Sequence, residues 1–212
     1  MNIENWNPAE IETRSFEIIT EELNEQGIVL PEDLAPIIKR CIHTTADFDY
    51  AKTLTFSEGS IERFMKLLQD HATIVTDTNM SLSGINRRAL TAAGCSAVCY
   101  MADEGVAAEA KERNVTRASV SMERAMNLSG PVIFAIGNAP TALITLREYY
   151  DKGLYEPAFV IGVPVGFVNV EAAKELILNT GIPHIINRGR KGGSNVAAAI
   201  CNALLYLNER NA

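Results

Sequence analysis

The fold class this 212-residue sequence predicts is a three-layer α/β/α sandwich around a mainly parallel five-stranded sheet. Two observations predict it. Three apolar runs each end in a glycine-bearing loop that opens a helix. Ile133–Ile136 runs into Gly137-Asn138-Ala139-Pro140-Thr141, Phe159–Ile161 into Gly162-Val163-Pro164-Val165-Gly166, and His184–Ile186 into Asn187-Arg188-Gly189-Arg190-Lys191-Gly192-Gly193-Ser194. Two earlier β-like runs, Thr73–Thr76 and Ser96–Tyr100, are also separated by helix-forming sequence. Such alternation builds parallel sheets with right-handed crossovers.

In chain order, Asn7-Pro8 reads as an N-cap with proline at the first helical position, and Gly27 as a stop, giving a helix over 8–26. Its apolar stripe is Ile11, Ile18, Ile19 and Leu23, and Ser15 falls inside it, buried or at an interface, where a bond back to the carbonyl one turn earlier would satisfy its hydroxyl. A second helix runs from about Pro31 to Thr45 with Leu34, Ile38, Cys41 and Thr45 on its core face; Pro36 implies a kink or a late start. Arg40 and His43 share the opposite side, solvated or covered by something else.

Ser57 reads as the cap of a helix burying Ile61, Phe64, Met65 and Leu68. Helical sequence follows around Ser81–Leu90, Ala107–Arg113 and Thr116–Leu128, and an Ala/Leu-rich helix over Asn195–Asn208 packs deep against the sheet.

The apolar content, 47%, supplies one good core, and residues 1–212 read as a single domain without an internal linker. No apolar stretch is long enough to span a bilayer, and the N-terminus lacks the pattern of a signal peptide, so a cytoplasmic protein is expected. Cys41, Cys95, Cys99 and Cys201 form no CxxC pair and read as structural thiols. A net charge of −7 has the wrong sign for non-specific nucleic-acid binding.

Ligands of parallel sheets bind beyond the carboxyl ends of the strands, where helix N-termini offer N–H groups to anions. The loop after the last strand adds Arg188, Arg190 and Lys191. Either an anion site or a solvated basic turn fits that composition. Lys191 precedes both glycines, unlike the P-loop lysine, and the first strand, ending at Asp77, has no dinucleotide-type glycine turn. Neither G-x-S-x-G nor any metal-ligand spacing occurs, leaving hydrolysis by triad or metal without candidates. Of the histidines, His71 reads as a helix-end residue and His184 as a satisfied core residue. His43, one turn after Arg40 and followed by Thr44 and Thr45, is the candidate for proton transfer.

Taken in order, the Ser15-Phe16 helix, Arg40-Cys41-Ile42-His43, Thr76-Asp77, Thr116-Arg117, Gly137-Asn138-Ala139-Pro140-Thr141-Ala142-Leu143, Gly162-Val163-Pro164-Val165-Gly166-Phe167-Val168 and Arg188-Gly189-Arg190-Lys191-Gly192-Gly193-Ser194 resemble the precorrin-8 methylmutase family of cobalamin biosynthesis, from about residue 8 to 205. The resemblance implies a cofactor-independent isomerase that moves a methyl group from carbon 11 to carbon 12 of a corrin precursor, giving cobyrinate or, from a metal-free substrate, hydrogenobyrinate. It also implies a homodimer with active sites at the interface. His43 would be the proton donor and acceptor, and Ser15 and Arg40 would contact substrate; loop position adds Arg117, Asn138 and Arg188. Imidazole, ordinarily titrating at about 6.5, suits a proton that must be given and retaken at neutral pH. The substrate's acetate and propionate groups suit arginines and helix N-termini. The cobalt-containing substrate is the one expected. A tetrapyrrole carrier without chemistry is the competing reading.

Overall fold

In the computed structural model the chain is described over residues 7–211. Helix α1 (Pro8–Glu25) follows Asn7, whose N–H donates to the Glu10 carboxylate at 3.2 Å. Ile19 and Leu23 are buried, whereas Ile11 and Ile18 stay 52% and 39% exposed, so only half of the expected stripe meets the core. Helix α2 (Ala35–Thr45) starts late, with Pro36 in the first turn, where its missing N–H does no harm. Before it, the N–H groups of Leu34 and Ala35 both close on the Pro31 carbonyl in a turn that runs directly into the helix.

A short helix, α3 (Tyr50–Thr53), feeds β1 (Leu54–Phe56). Helix α4 (Ser60–Gln69) is entered through Gly59 at φ 63°. Ser57 therefore does not cap it; its hydroxyl instead accepts from the His184 N–H at 2.8 Å. Then come β2 (Thr73–Thr76), α5 (Asn79–Gly84), α6 (Arg87–Ala92) and β3 (Ser96–Val98), followed by α7 (Glu104–Glu112) and α8 (Arg117–Ala125). Asn86, capping α6 through its side chain, splits what the sequence reads as one helix. The second half runs β4 (Val132–Ile136), α9 (Pro140–Asp151), β5 (Phe159–Gly162), α10 (Val170–Leu178), β6 (His184–Asn187) and α11 (Ser194–Asn211).

The sheet has six strands in the order β1-β6-β5-β4-β2-β3, one more than expected. The extra strand, β1, is antiparallel to β6, and the other pairings are parallel. Period-two alternation sends Ile133 and Ala135 of β4 into a core shared with α1, α2, α4 and α11. Val132, Phe134 and Ile136 enter the opposite core under α8, α9 and α10. Both faces are buried, which confirms the three-layer sandwich. The chain leaves β2 toward β3 and β4 toward β5 on opposite sides, so the strand order reverses between β2 and β4. That is where a crevice forms in open α/β sheets.

Candidate active site

Side chains from α1, α2 and α11 build the first part of the site. Phe16 stacks on His43 with ring centroids 5.4 Å apart and planes at 30°. The Arg40 guanidinium lies 4.7 Å from the centroid of the same ring and 5.3 Å from that of Tyr206. Its Nη2 donates to Glu12 at 2.6 Å. Arg40 is consequently 16% exposed, covered by aromatic faces that attract a cation, while His43 remains exposed. Beside this cluster a groove of about 800 Å³ extends between α1, α2 and the end of α11, lined by apolar Phe16, Pro36, Ala203 and Leu207, by Arg40 and Tyr206, and by the carboxylates of Glu12, Glu17, Glu21 and Glu32; His43 stands outside its lining. Ser15 points its hydroxyl back to the Ile11 carbonyl at 2.8 Å.

The second part is the carboxyl edge of the sheet. Asp77, directly after β2, is fully buried and accepts N–H groups of the loop after β4: Gly137 at 2.9 Å, Asn138 at 2.8 Å and Ala139 at 2.6 Å. Burial raises its carboxyl above the ordinary carboxylate range, the three donors acting in the opposite sense. The anion cradle at the head of α9 is thus already filled by the chain's own carboxylate. Beside it the hydroxyls of Thr78 and Ser194 meet at 2.8 Å, and Thr116 donates to Thr141 at 3.0 Å, joining the heads of α8 and α9.

The loops after β5 and β6 are packed backbone to backbone. Gly193 donates its N–H to the Val163 carbonyl at 2.9 Å, and Gly166 donates to the Arg190 carbonyl at 3.1 Å. At Gly192 (φ 157°) any Cβ would fall inside the surface of the Val163 carbonyl oxygen. The basic loop is not a bare cation cluster. Arg188 pairs with Glu175 at 2.9 Å, Arg190 with Glu171 at 2.9 Å, and Lys191 with both Asp47 and Asp49 at 2.6 Å. Those two aspartates follow α2, so Lys191 ties the basic loop to the helix that carries His43. Below the loop Lys174, 0% exposed, donates from Nζ to the carbonyls of Gly189 at 2.7 Å and Lys191 at 2.9 Å. Burial lowers its ammonium to about 8.

A family model described as precorrin-8X methylmutase matches residues 10–207. The chain belongs to the precorrin-8X methylmutase family. A cobalt-precorrin-8 methylmutase of Leptospira interrogans is 40% identical over 208 residues, covering 94% of each chain. A precorrin-8X methylmutase of Pseudomonas aeruginosa is 40% identical over 194 residues, covering 90% of this chain and 91% of the relative. The crystal structure of precorrin-8x methyl mutase from Thermus thermophilus superposes with a TM-score of 0.87 at 37% identity, covering 96% of this chain and 97% of that one. The protein is accordingly a methylmutase, an isomerase of cobalamin biosynthesis.

Among the residues expected to serve a methylmutase, Arg40 and His43 come together on the Phe16 ring, with Ser15 beside it in sequence on α1. Arg117 and Asn138 lie on other elements, exposed at the heads of α8 and α9; a hollow of about 660 Å³ between α7 and the start of α8 runs past Arg117, Thr116 and Lys111 but not Asn138. Arg188 follows β6 on the far side of that edge. No hydrogen bond or ring contact among the described residues joins these three to His43. His184 is a satisfied core residue, its Nδ1 2.7 Å from the Ile182 carbonyl, and burial lowers its pKa. The buried thiols of Cys41 and Cys201 are pushed up to about 12. Cys95 and Cys99 flank β3 rather than lying within it. Sequence reasoning missed Phe16, Asp77 and Lys174 as builders of the site. Phe16 and Asp77 left a signal, as parts of the Ser15-Phe16 and Thr76-Asp77 segments that carry the family resemblance, but were given no role; Lys174 left none.

Proposed function

We propose that the chain is a cobalt-precorrin-8 methylmutase, moving the methyl group on carbon 11 of the macrocycle to carbon 12 to give cobyrinate. The observation that supports this reading is the joint seating of His43 and Arg40 on Phe16, the ring that with Arg40 lines the groove. A methyl shift along a conjugated ring breaks one carbon–carbon bond, forms another and leaves the redox state unchanged. The catalyst has only to perturb the π-system. His43 does this by protonating the macrocycle and retaking the proton, which stabilises the rearranged isomer. Cobalt, when present, belongs to the substrate and is held by the macrocycle.

Binding follows from the substrate's rim of carboxylates. Arg40, next to an apolar floor, takes one of them, and Ser15 offers its hydroxyl after leaving the Ile11 carbonyl. Arg117, Asn138 and Arg188 hold others along the carboxyl edge of the sheet, so that binding energy from the rim presses the ring against His43. The exposed pair Arg188–Glu175 is worth little in water and is readily exchanged for a substrate carboxylate. The whole of 1–212 acts as one unit, in the cytoplasm and as a homodimer with its active sites at the interface. The exposed Ile11 and Ile18 on α1, the helix that lines the groove, support that assembly. Among the described residues no helix is long and apolar enough to cross a membrane.

An anaerobic absorbance assay with precorrin-8 and its cobalt form tests the reading. Conversion of the cobalt form at the higher kcat/KM, lost in His43→Ala with ligand binding retained, is the expected result. Preference for the metal-free form reassigns the substrate. Binding of both without conversion by the unmodified protein leaves a carrier instead.

A further inference from the structure

Three successive backbone oxygens of the loop after β6 are drawn into the molecule. The Gly189 carbonyl accepts from Lys174 Nζ, the Arg190 carbonyl from the Gly166 N–H, and the Lys191 carbonyl from both Lys174 Nζ and Asn187 Nδ2. With its carbonyls facing inward the loop sends its side chains outward, leaving those of Arg188, Arg190 and Lys191 about half exposed, at 51%, 58% and 48%.

Lys174 sits on α10, whose other buried residues, Val170, Ala173 and Ile177, are apolar. A buried ammonium is unfavourable unless its donors are used. Here the hydrogen-bond partners are carbonyl oxygens and not a carboxylate. Glu171, one turn earlier on α10, bonds to Arg190 instead. The lysine is therefore matched to the converging negative ends of the loop's peptide dipoles.

We propose that Lys174 is a positioning residue for substrate binding, its ammonium holding the loop 187–191 in the shape that presents Arg188 and Arg190 to the carboxylates of the substrate. The role of those arginines rests on the proposed function; the holding of the loop does not. The carboxylates now paired with the arginines are exposed and exchange easily with those of a substrate, so what the protein must fix in advance is where the two guanidiniums stand. Lys174 fixes this from beneath without touching the ligand.

The experiment compares the full chain with Lys174→Met in two readouts. The first is hydrogen exchange of the peptide 187–194 without ligand. The second is steady-state turnover of whichever form of precorrin-8 the unmodified protein converts. Lys174→Met is expected to speed exchange of that peptide by about tenfold or more and to raise KM by about tenfold, with kcat changed by less than about threefold. In an Arg188→Ala/Arg190→Ala background the same substitution should change KM by less than about twofold, because its effect is already spent. Lys174→Gln, which keeps two donors, should recover most of the KM; should Lys174→Met fail to fold, Lys174→Ala, which also removes the ammonium, replaces it in every comparison. Unchanged exchange, a loss confined to kcat, or full multiplication with the arginine substitutions overturns the proposal. Faster exchange in a protein that converts neither form would condemn the proposed substrate while leaving the loop-holding role intact.

Discussion

The imidazole of His43 rests against the ring of Phe16, 5.4 Å between centroids, and the Arg40 guanidinium reaches the same ring at 4.7 Å. One aromatic side chain from α1 thus contacts two candidate site residues that sit a turn apart on α2. Phe16→Ala should leave the fold intact, since Phe16 lies outside the buried core, yet loosen both groups. We expect kcat to fall by about tenfold to a hundredfold with KM also raised, read by steady-state kinetics. Wild-type kcat in a folded Phe16→Ala would show that stacking does not orient His43.

Arg40 meets Phe16, Tyr206 and Glu12 through a flat guanidinium. Lysine can carry the charge but not the stacking or the fork. Arg40→Lys is expected to weaken substrate binding by about tenfold, equivalent to about 1.4 kcal/mol, in a titration with product. Affinity equal to the unmodified protein would reduce the role of Arg40 to its charge.

Asp77 satisfies three amide donors of the loop after β4 from within the core. Asp77→Ala strands those donors, two of which belong to buried residues, Gly137 and Ala139. Each stranded buried group costs about 1–3 kcal/mol, and urea denaturation should show a combined loss of about 3 kcal/mol or more. A loss below 1 kcal/mol would mean that water or a rearranged loop replaces the carboxylate.

At Gly192 the backbone has φ 157° and no room for a Cβ beside the Val163 carbonyl. Gly192→Ala must push the loops after β5 and β6 apart. A drop in stability of about 2 kcal/mol or more is expected, together with faster exchange of the Gly193 N–H now bonded to Val163. A crystal structure of Gly192→Ala with both loops unmoved would contradict this.

Burial lowers the Lys174 ammonium from 10.5 to about 8. Between those values the unfolded chain holds the proton that the folded chain has released, so stability rises with pH through this window and the penalty for burying the charge is full below it. The difference in unfolding free energy between the unmodified protein and Lys174→Met isolates the effect from other titrating groups. It should move in favour of the unmodified protein by about 3 kcal/mol from pH 7 to pH 11. A flat difference would place the Lys174 pKa at its ordinary value.

The five parallel strands were legible because each is a short apolar run closed by a turn, and the reading of β2 as Thr73–Thr76 coincides with the strand formed. The sixth was not. Leu54-Thr55-Phe56 is too short for a period to show, and its pairing with Asn187, Ile186 and Ile185 arises from residues far along the chain. The basic loop was visible as composition, but its pairing with Glu171, Glu175, Asp47 and Asp49 was not, because those carboxylates lie on other elements. Asp77 and Lys174 share that reason. Nothing local in the sequence shows that the amides after β4 come to meet this acid, or the carbonyls after β6 this lysine. Arg40 and His43 could be placed on one face of a helix by spacing alone, whereas the ring that joins them comes from the neighbouring helix.

The sheet is bordered on one side by β1 and on the other by β3, each only three residues long. A border that short gives an incoming strand little to zip onto, and this protects the protein against chain-to-chain strand addition and the aggregates that grow from it. Association between copies is thereby steered away from shared main-chain hydrogen bonds. In the proposed dimer it would be left to the side chains of the helical layers, such as the exposed Ile11 and Ile18.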